Sequence, residues 1–387
     1  MVKRAIFLAL LVSLGFARPV LEAEATGNGK ISGVLVNKTD GGGNIADKVV
    51  SLELFQDDKT VGVKTTRSDN AGRFIFESLP TDSSYTYEIA VTYQNVEYRS
   101  DRIGFSAGKD TLSLEIDVFE TTTDAKSIFV MLSHATVYFE NNSLLVKEYF
   151  LFVNSSNQTY IGPEPAVVGG QRETLKFTLP DGATDVQSSF GLSNTTAFLN
   201  GSSLINSEPL TPTGRDVSYS YRLPCNTPEY TISWKVNYAM KRFDLLVPEG
   251  NITVAGDKLT PEQPLSISGR NYKHYSSKAV VPGDVIVAKL SGLTGAVNNA
   301  PATGISGGFN WAWLALIPLA VGAGLIFIRK RNPRAVAAVT PDSNTTKDKL
   351  LAEIAELDDG FEEGQIAEEE YSRLRTQKKR QLMKLVQ

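Results

Sequence analysis

The chain is poor in the residues that most enzyme chemistry needs. Its 387 residues include one cysteine and two histidines. Cys225 alone excludes an intramolecular disulfide, a CxxC redox pair, a thiolate zinc site and a CxxCH heme attachment. No H-E-x-x-H or P-loop string occurs, and no G-x-S-x-G or G-x-G-x-x-G stands in a strand-to-helix setting. Only 21% of residues are charged against 42% hydrophobic, which excludes a disordered polyelectrolyte and a polytopic transporter. Residues 26–308 carry 24 Lys+Arg against 30 Asp+Glu, a net of −6, so they have no basic footprint for nucleic acid.

The apolar runs give a topology. Lys3 and Arg4 precede a 13-residue apolar run from Ala5 to Ala17, the pattern of a signal peptide over 1–25. Ala23-Glu24-Ala25 and Gly15-Phe16-Ala17 are competing cleavage sites. The stretch 309–328 holds 20 residues without a charge, enough for one transmembrane helix. Trp311 and Trp313 suit one membrane interface, and Arg329, Lys330 and Arg331 the cytoplasmic one. The expectation is a single-pass protein of the cytoplasmic membrane in contact with the lipid bilayer, its N-terminal domains outside and its C-terminus inside.

Between these runs the pattern is β. Tyr85, Tyr87, Ile89, Val91 and Tyr93 alternate with polar residues, as do Leu112, Leu114, Ile116 and Val118. Asp40-Gly41-Gly42-Gly43, Asp57-Asp58, Asp69-Asn70-Ala71-Gly72 and Leu79-Pro80 supply the turns. About seven short strands over 28–120 read as a small sandwich. Ile31 to Val36, Val49 to Phe55, Thr65-Thr66 with Asp69, Gly72, Phe74 and Phe76, then Leu79-Pro80 and Tyr85 to Val91, resemble the carboxypeptidase regulatory-like, transthyretin-like domain. That resemblance implies an accessory sandwich with no catalytic residues. It assigns folding support, adhesion or carbohydrate contact as roles.

Over 126–290 the alternation continues: Leu175, Phe177 and Leu179; Val217, Tyr219, Tyr221 and Leu223; Ile232, Trp234, Val236 and Tyr238. This reads as a second, larger antiparallel sandwich. Residues 291–308, rich in Gly, Ala, Asn and Ser, read as a stalk, and 329–345 as a basic flank and linker. In 346–387, Leu350, Ile354, Leu357 and Phe361 share a helical stripe, Gly364 breaks it, and Ile366, Tyr371 and Leu374 line a second helix. Two helices with so little apolar surface predict a hairpin that pairs with itself or a membrane partner. The segment from Leu350 to Arg375 resembles a helical segment of membrane-bound heme-lyase accessory subunits in cytochrome c maturation, and also short oligomerisation modules.

The expected fold class is therefore an all-β ectodomain of two antiparallel β-sandwiches, one transmembrane helix and a cytoplasmic helical hairpin. The candidate chemistry is sparse. His134 and His274 lie in strand-like runs and read first as packing residues. Cys225 reads as a buried small side chain ahead of a reactive thiol. Asp57-Asp58 and Asp69-Asn70 read as turn residues ahead of calcium ligands, because their spacing matches no calcium loop. Tyr93, Tyr98, Tyr160, Tyr272 and Tyr275 are candidates for a sugar platform. Eight N-x-[ST] sequons begin at Asn37, Asn141, Asn154, Asn157, Asn194, Asn200, Asn251 and Asn344, where chance supplies roughly three or four. The functional expectation is a non-catalytic membrane-anchored scaffold or binding protein without catalytic residues, metal or cofactor. Its expected partner is an extracytoplasmic protein or glycan, and nucleic acid is not expected. Assembly of envelope redox proteins and carbohydrate binding or adhesion are the alternatives.

Overall fold

Side chains of alternating polarity leave a strand one apolar face, and such strands must pair and stack to bury it. The computed structural model describes residues 27–164, 170–267 and 270–293, with Leu374, Gln377 and Lys378. These residues form two units that divide between Val118 and Phe119.

The first unit contains β1 (Gly29–Asn37), β2 (Val49–Gln56), β3 (Lys59–Arg67), β4 (Arg73–Leu79), β5 (Tyr85–Tyr93), β6 (Val96–Arg99) and β7 (Thr111–Val118). They make a three-stranded sheet in the order β4-β1-β7 and a four-stranded sheet in the order β3-β2-β5-β6. The alternation places Ile31, Leu35, Phe74, Phe76 and Ile116 inward from the first sheet. Val50, Leu52, Leu54, Tyr87, Ile89 and Val91 point inward from the second, and all of these are buried. Gly33 is required by a close approach, since a Cβ there would lie 2.2 Å from the Phe74 ring. Gly72 closes the Asp69 turn at φ +77°.

The second unit contains β8 (Thr121–Thr122), β9 (Ile128–Glu140), β10 (Ser143–Asn154), β11 (Thr159–Tyr160), β12 (Leu175–Thr178), β13 (Thr184–Ser188), β14 (Ala197–Asn200) and β15 (Ser203–Asn206). It continues with β16 (Arg215–Pro224), β17 (Glu229–Lys235), β18 (Met240–Pro248), β19 (Thr253–Ala255), β20 (Thr260–Pro261), β21 (Leu265–Ile267), β22 (Arg270–Val280) and β23 (Val285–Ser291). One large sheet runs β13-β16-β10-β9-β18-β22-β20, with β21 also on β22. Across one face of it, a core joins Val137, Val146, Phe152, Tyr219 and Leu245 to Leu175, Phe177 and Leu204 of the β12-β15-β14 sheet. The same core takes in Ile232, Trp234, Ile286 and Leu290 of the β17-β23-β19 sheet.

The expected fold class needs correction in two respects. The sheets are not purely antiparallel, because β1 pairs with β7 and β18 with β9 in parallel. Those pairs join strands far apart in sequence, as parallel pairing demands a crossover that a local reading does not reveal. The second respect is the helical part. Among the described residues no helix is long and apolar enough to cross a membrane, and the helix within the strand-bearing units is the three-residue 3-10 turn Ala125–Ser127. A hydropathy run supplies apolar length, whereas a span also needs a helix to satisfy its backbone. The single-pass fold and the membrane localisation inferred from it are therefore not supported. The run 309–328, with Trp311, Trp313, Arg329, Lys330 and Arg331, lies outside the described residues, as does 1–25. So do Leu350, Ile354, Leu357, Phe361, Ile366 and Tyr371; of the tail, Leu374, Gln377 and Lys378 are described, with helical backbone.

Candidate functional site

The most unusual group lies inside the second core. Period two on β10 puts Leu144, Val146, Glu148, Phe150 and Phe152 on one face, so an acid is carried in line with four apolar residues. Glu148 is 4% exposed. Its Oε2 accepts from the Tyr219 hydroxyl at 3.0 Å, and its Oε1 from the Tyr221 hydroxyl at 2.6 Å and the Trp234 indole at 3.1 Å. The indole also donates to the Tyr221 oxygen at 3.0 Å. Burial pushes the Glu148 carboxyl up to about 7, against the opposing pull of the Tyr221, Tyr219 and Trp234 bonds. Its presence in turn raises both tyrosines, whose largest cause is again burial.

The reverse face of the large sheet gathers both histidines. His134 on β9 is the register partner of Asp244 on β18, and His274 on β22 neighbours Asp244 from the other side. Asp244 Oδ1 accepts from Arg242 Nε at 2.6 Å, with Arg242 Nη2 also at 2.6 Å, and lies 2.7 Å from His274 Nε2. His274 Nε2 also lies 3.0 Å from Arg242 Nη2, and its Nδ1 lies 3.3 Å from the Gln263 carbonyl oxygen. His134 stacks on Tyr149 at 5.0 Å, and the Tyr149 hydroxyl donates to Asp216 at 3.0 Å. Ser276 donates to Glu262 at 2.6 Å. Nearby on β10, Lys147 sits 5.5 Å from the Tyr138 ring, and burial brings its ammonium down to about 8. The alternation alone put the histidines on strands; the order β9-β18-β22 sets their strands on either side of the one that carries Asp244.

The first unit offers a surface feature. A depression of about 290 Å³ is lined by Asp47, Lys48, Val49, Ser51, Ala90, Thr92 and Glu97. Its floor is low because Ser51 and Ala90 are small and sit opposite each other in the β2/β5 register. Beside it Arg99 bonds Glu88 at 2.6 Å, Glu97 at 2.7 Å and Glu53 at 3.2 Å, which raises the guanidinium's affinity for its proton.

The remaining candidates are placed as follows. Tyr93, Tyr98, Tyr160 and Tyr272 are buried and Tyr275 half-buried, so none is a platform for a sugar ring. Cys225 is 2% exposed. Asp57 and Asp58 occupy left-handed turn positions. Asp69 accepts from the Ala71 and Arg73 backbone amides, each at 2.8 Å, and these bonds hold its carboxyl below the usual range. Among the described residues no group of three or more His, Cys, Asp or Glu is arranged to hold a metal. Sequence reasoning passed over Glu148, although its position in the apolar register of β10 is a legible signal.

No family model and no curated protein matches the chain. Among solved structures, the full-length major pilin SpaD of Corynebacterium diphtheriae aligns at 10% identity over 69% of this chain and 82% of that one, with a TM-score of 0.19. A calcium-binding mutant of Bacteroides uniformis beta-glucuronidase 2 aligns at 12% identity over 68% of this chain and 29% of that one, with a TM-score of 0.11. Extracellular domains 3–5 of Drosophila OTK align at 9% identity over 68% of this chain and 90% of that one, also at 0.11. Superpositions this loose carry no argument about function. The all-β fold rests on the strands of this chain.

Proposed function

We propose that the chain is a non-catalytic binding or scaffolding protein whose β-sandwich units hold rigid surfaces for a protein partner. The observation that carries this reading is the fate of its acid–base groups. His274, Asp244 and Arg242 bond one another, with His274 4% and Asp244 8% exposed. Glu148 is enclosed by Tyr219, Tyr221 and Trp234. Such networks specify strand partners and rigidify a core. The surface assigned to recognition is the depression beside Arg99, where Lys48, Ser51, Thr92 and Glu97 offer polar groups around a small-residue floor.

The test is affinity capture of the tagged full-length chain from native extract. Thr92 is exposed within the depression, so Thr92→Trp fills it from the solvent side. Capture of a stoichiometric protein that Thr92→Trp removes supports the reading. Capture that Thr92→Trp leaves intact moves recognition elsewhere, and turnover lost on His274→Gln or Asp244→Asn would refute a non-catalytic role.

A further inference from the structure

The sequons separate sharply by environment. Asn154 is 1% exposed, and its Nδ2 donates to the Gln158 carbonyl at 2.7 Å and the Leu210 carbonyl at 3.0 Å, which makes it a structural bridge. Asn37 is half-buried, and its Nδ2 donates to the Tyr93 hydroxyl at 3.1 Å. Asn141, Asn157, Asn194, Asn200 and Asn251 are exposed. Two of these five bracket one element. Asn194-Thr195-Thr196 runs directly into β14, and Asn200-Gly201-Ser202 forms its exit turn, with Gly201 at φ +58°.

β14 is an edge strand of the β12-β15-β14 sheet, and β13 is an edge strand of the large sheet. Residues 189–196 connect these two edges, so both border the same open side of the sandwich. That side exposes apolar groups: Phe190 in the connection is 57% exposed and Leu199 on β14 is 55% exposed. A free strand edge beside exposed apolar side chains is a template for strand pairing between chains, and proteins blunt such edges. β13 carries an exposed charge at Asp185 and a bulge between Thr184 and Gln187, whereas Ala197–Asn200 of β14 have no charge and no proline.

We propose that Asn194 and Asn200 carry N-linked glycans and that these shield the open β13/β14 side of the second unit. The donor class is a lipid-pyrophosphate-linked oligosaccharide. The Asn amide nitrogen forms a bond to the anomeric carbon as the glycosyl–phosphate C–O bond breaks. The lipid pyrophosphate leaves, and the amide loses one proton. Exposure of both acceptor side chains at turns gives the transferase the access that Asn154 denies. The shielded edge is distinct from the depression of the first unit, so the two assignments stand or fall separately.

The experiment uses the full-length chain purified from its native cells. Peptide mass mapping is expected to find an added oligosaccharide mass on Asn194 and Asn200 and none on Asn154. Unmodified mass at both Asn194 and Asn200 overturns the proposal. Shielding is read separately, by light scattering after enzymatic removal of glycans from the folded protein. Self-association is expected to rise several-fold and to fall back when Leu199→Lys charges the edge. Glycan-free protein that stays monomeric at the same concentration overturns the shielding half while leaving occupancy standing. Asn194→Gln and Asn200→Gln, at exposed sites, reproduce the glycan loss one position at a time.

Discussion

Glu148→Gln isolates the electrostatic consequence of an acid in the core. The Glu148 carboxyl is raised from 4.5 to about 7, chiefly by burial. The folded state therefore holds a proton that the unfolded chain releases between those values. Stability falls as pH rises wherever the folded state binds more protons. The contribution of Glu148 is complete below about pH 4.5 and is lost as pH rises through about 7. A shift of that size corresponds to about 3 kcal/mol at full ionisation. Glutamine keeps the three contacts: its carbonyl can accept from Tyr221 and Trp234, and its amide can donate to the Tyr219 oxygen, since a hydroxyl turns to suit. The variant is therefore expected to match the parent near pH 5 and to exceed it by about 3 kcal/mol at pH 8 to 9, or roughly 6–12 °C in midpoint for a unit of this size. Urea and thermal unfolding of the full-length chain across pH 5 to 9 measures this, with tryptophan emission as one signal because the Trp234 indole touches the carboxyl. Parallel pH profiles for parent and variant would refute the reasoning, since every other titrating group is common to both.

Further outcomes follow from the same geometry. Trp234→Phe removes one donor to the carboxylate and is expected to cost about 1–3 kcal/mol, with the pH midpoint of the Glu148 effect moving upward. Gly33→Ala forces a Cβ to 2.2 Å from the Phe74 ring, and a loss of about 1–3 kcal/mol confined to the first unit is expected in hydrogen-exchange protection. Asp244→Asn leaves Arg242 beside His274 without the carboxylate between them; a loss of about 1–3 kcal/mol is expected by urea unfolding. Cys225, 2% exposed, is expected to react with a thiol reagent only on denaturation; rapid labelling of the native chain would contradict its placement in the core.

Much of the strand pattern was legible because a period of two needs only neighbouring residues. Val217, Tyr219, Tyr221 and Leu223 read as one apolar face, and each is 2% exposed or less. The same alternation set Ser218 and Ser220 on the other face without telling how little water reaches them, and they are buried too. At 309–328 the sequence supplies apolar length alone, and that run lies outside the described residues.

What the sequence by itself determined was local: which stretches extend, where Asp69 and Gly72 turn the chain, and that cysteine chemistry has almost no material. The tertiary structure decided everything that depends on distance along the chain. Glu148 meets Tyr219, Tyr221 and Trp234 across 71, 73 and 86 residues, and Asp244 meets His274 across 30. Pairing order also decided which asparagine is a bridge and which stands in solvent. Alternation fixes the side of a strand on which a residue lies, whereas burial and partners belong to whatever strand is brought beside it.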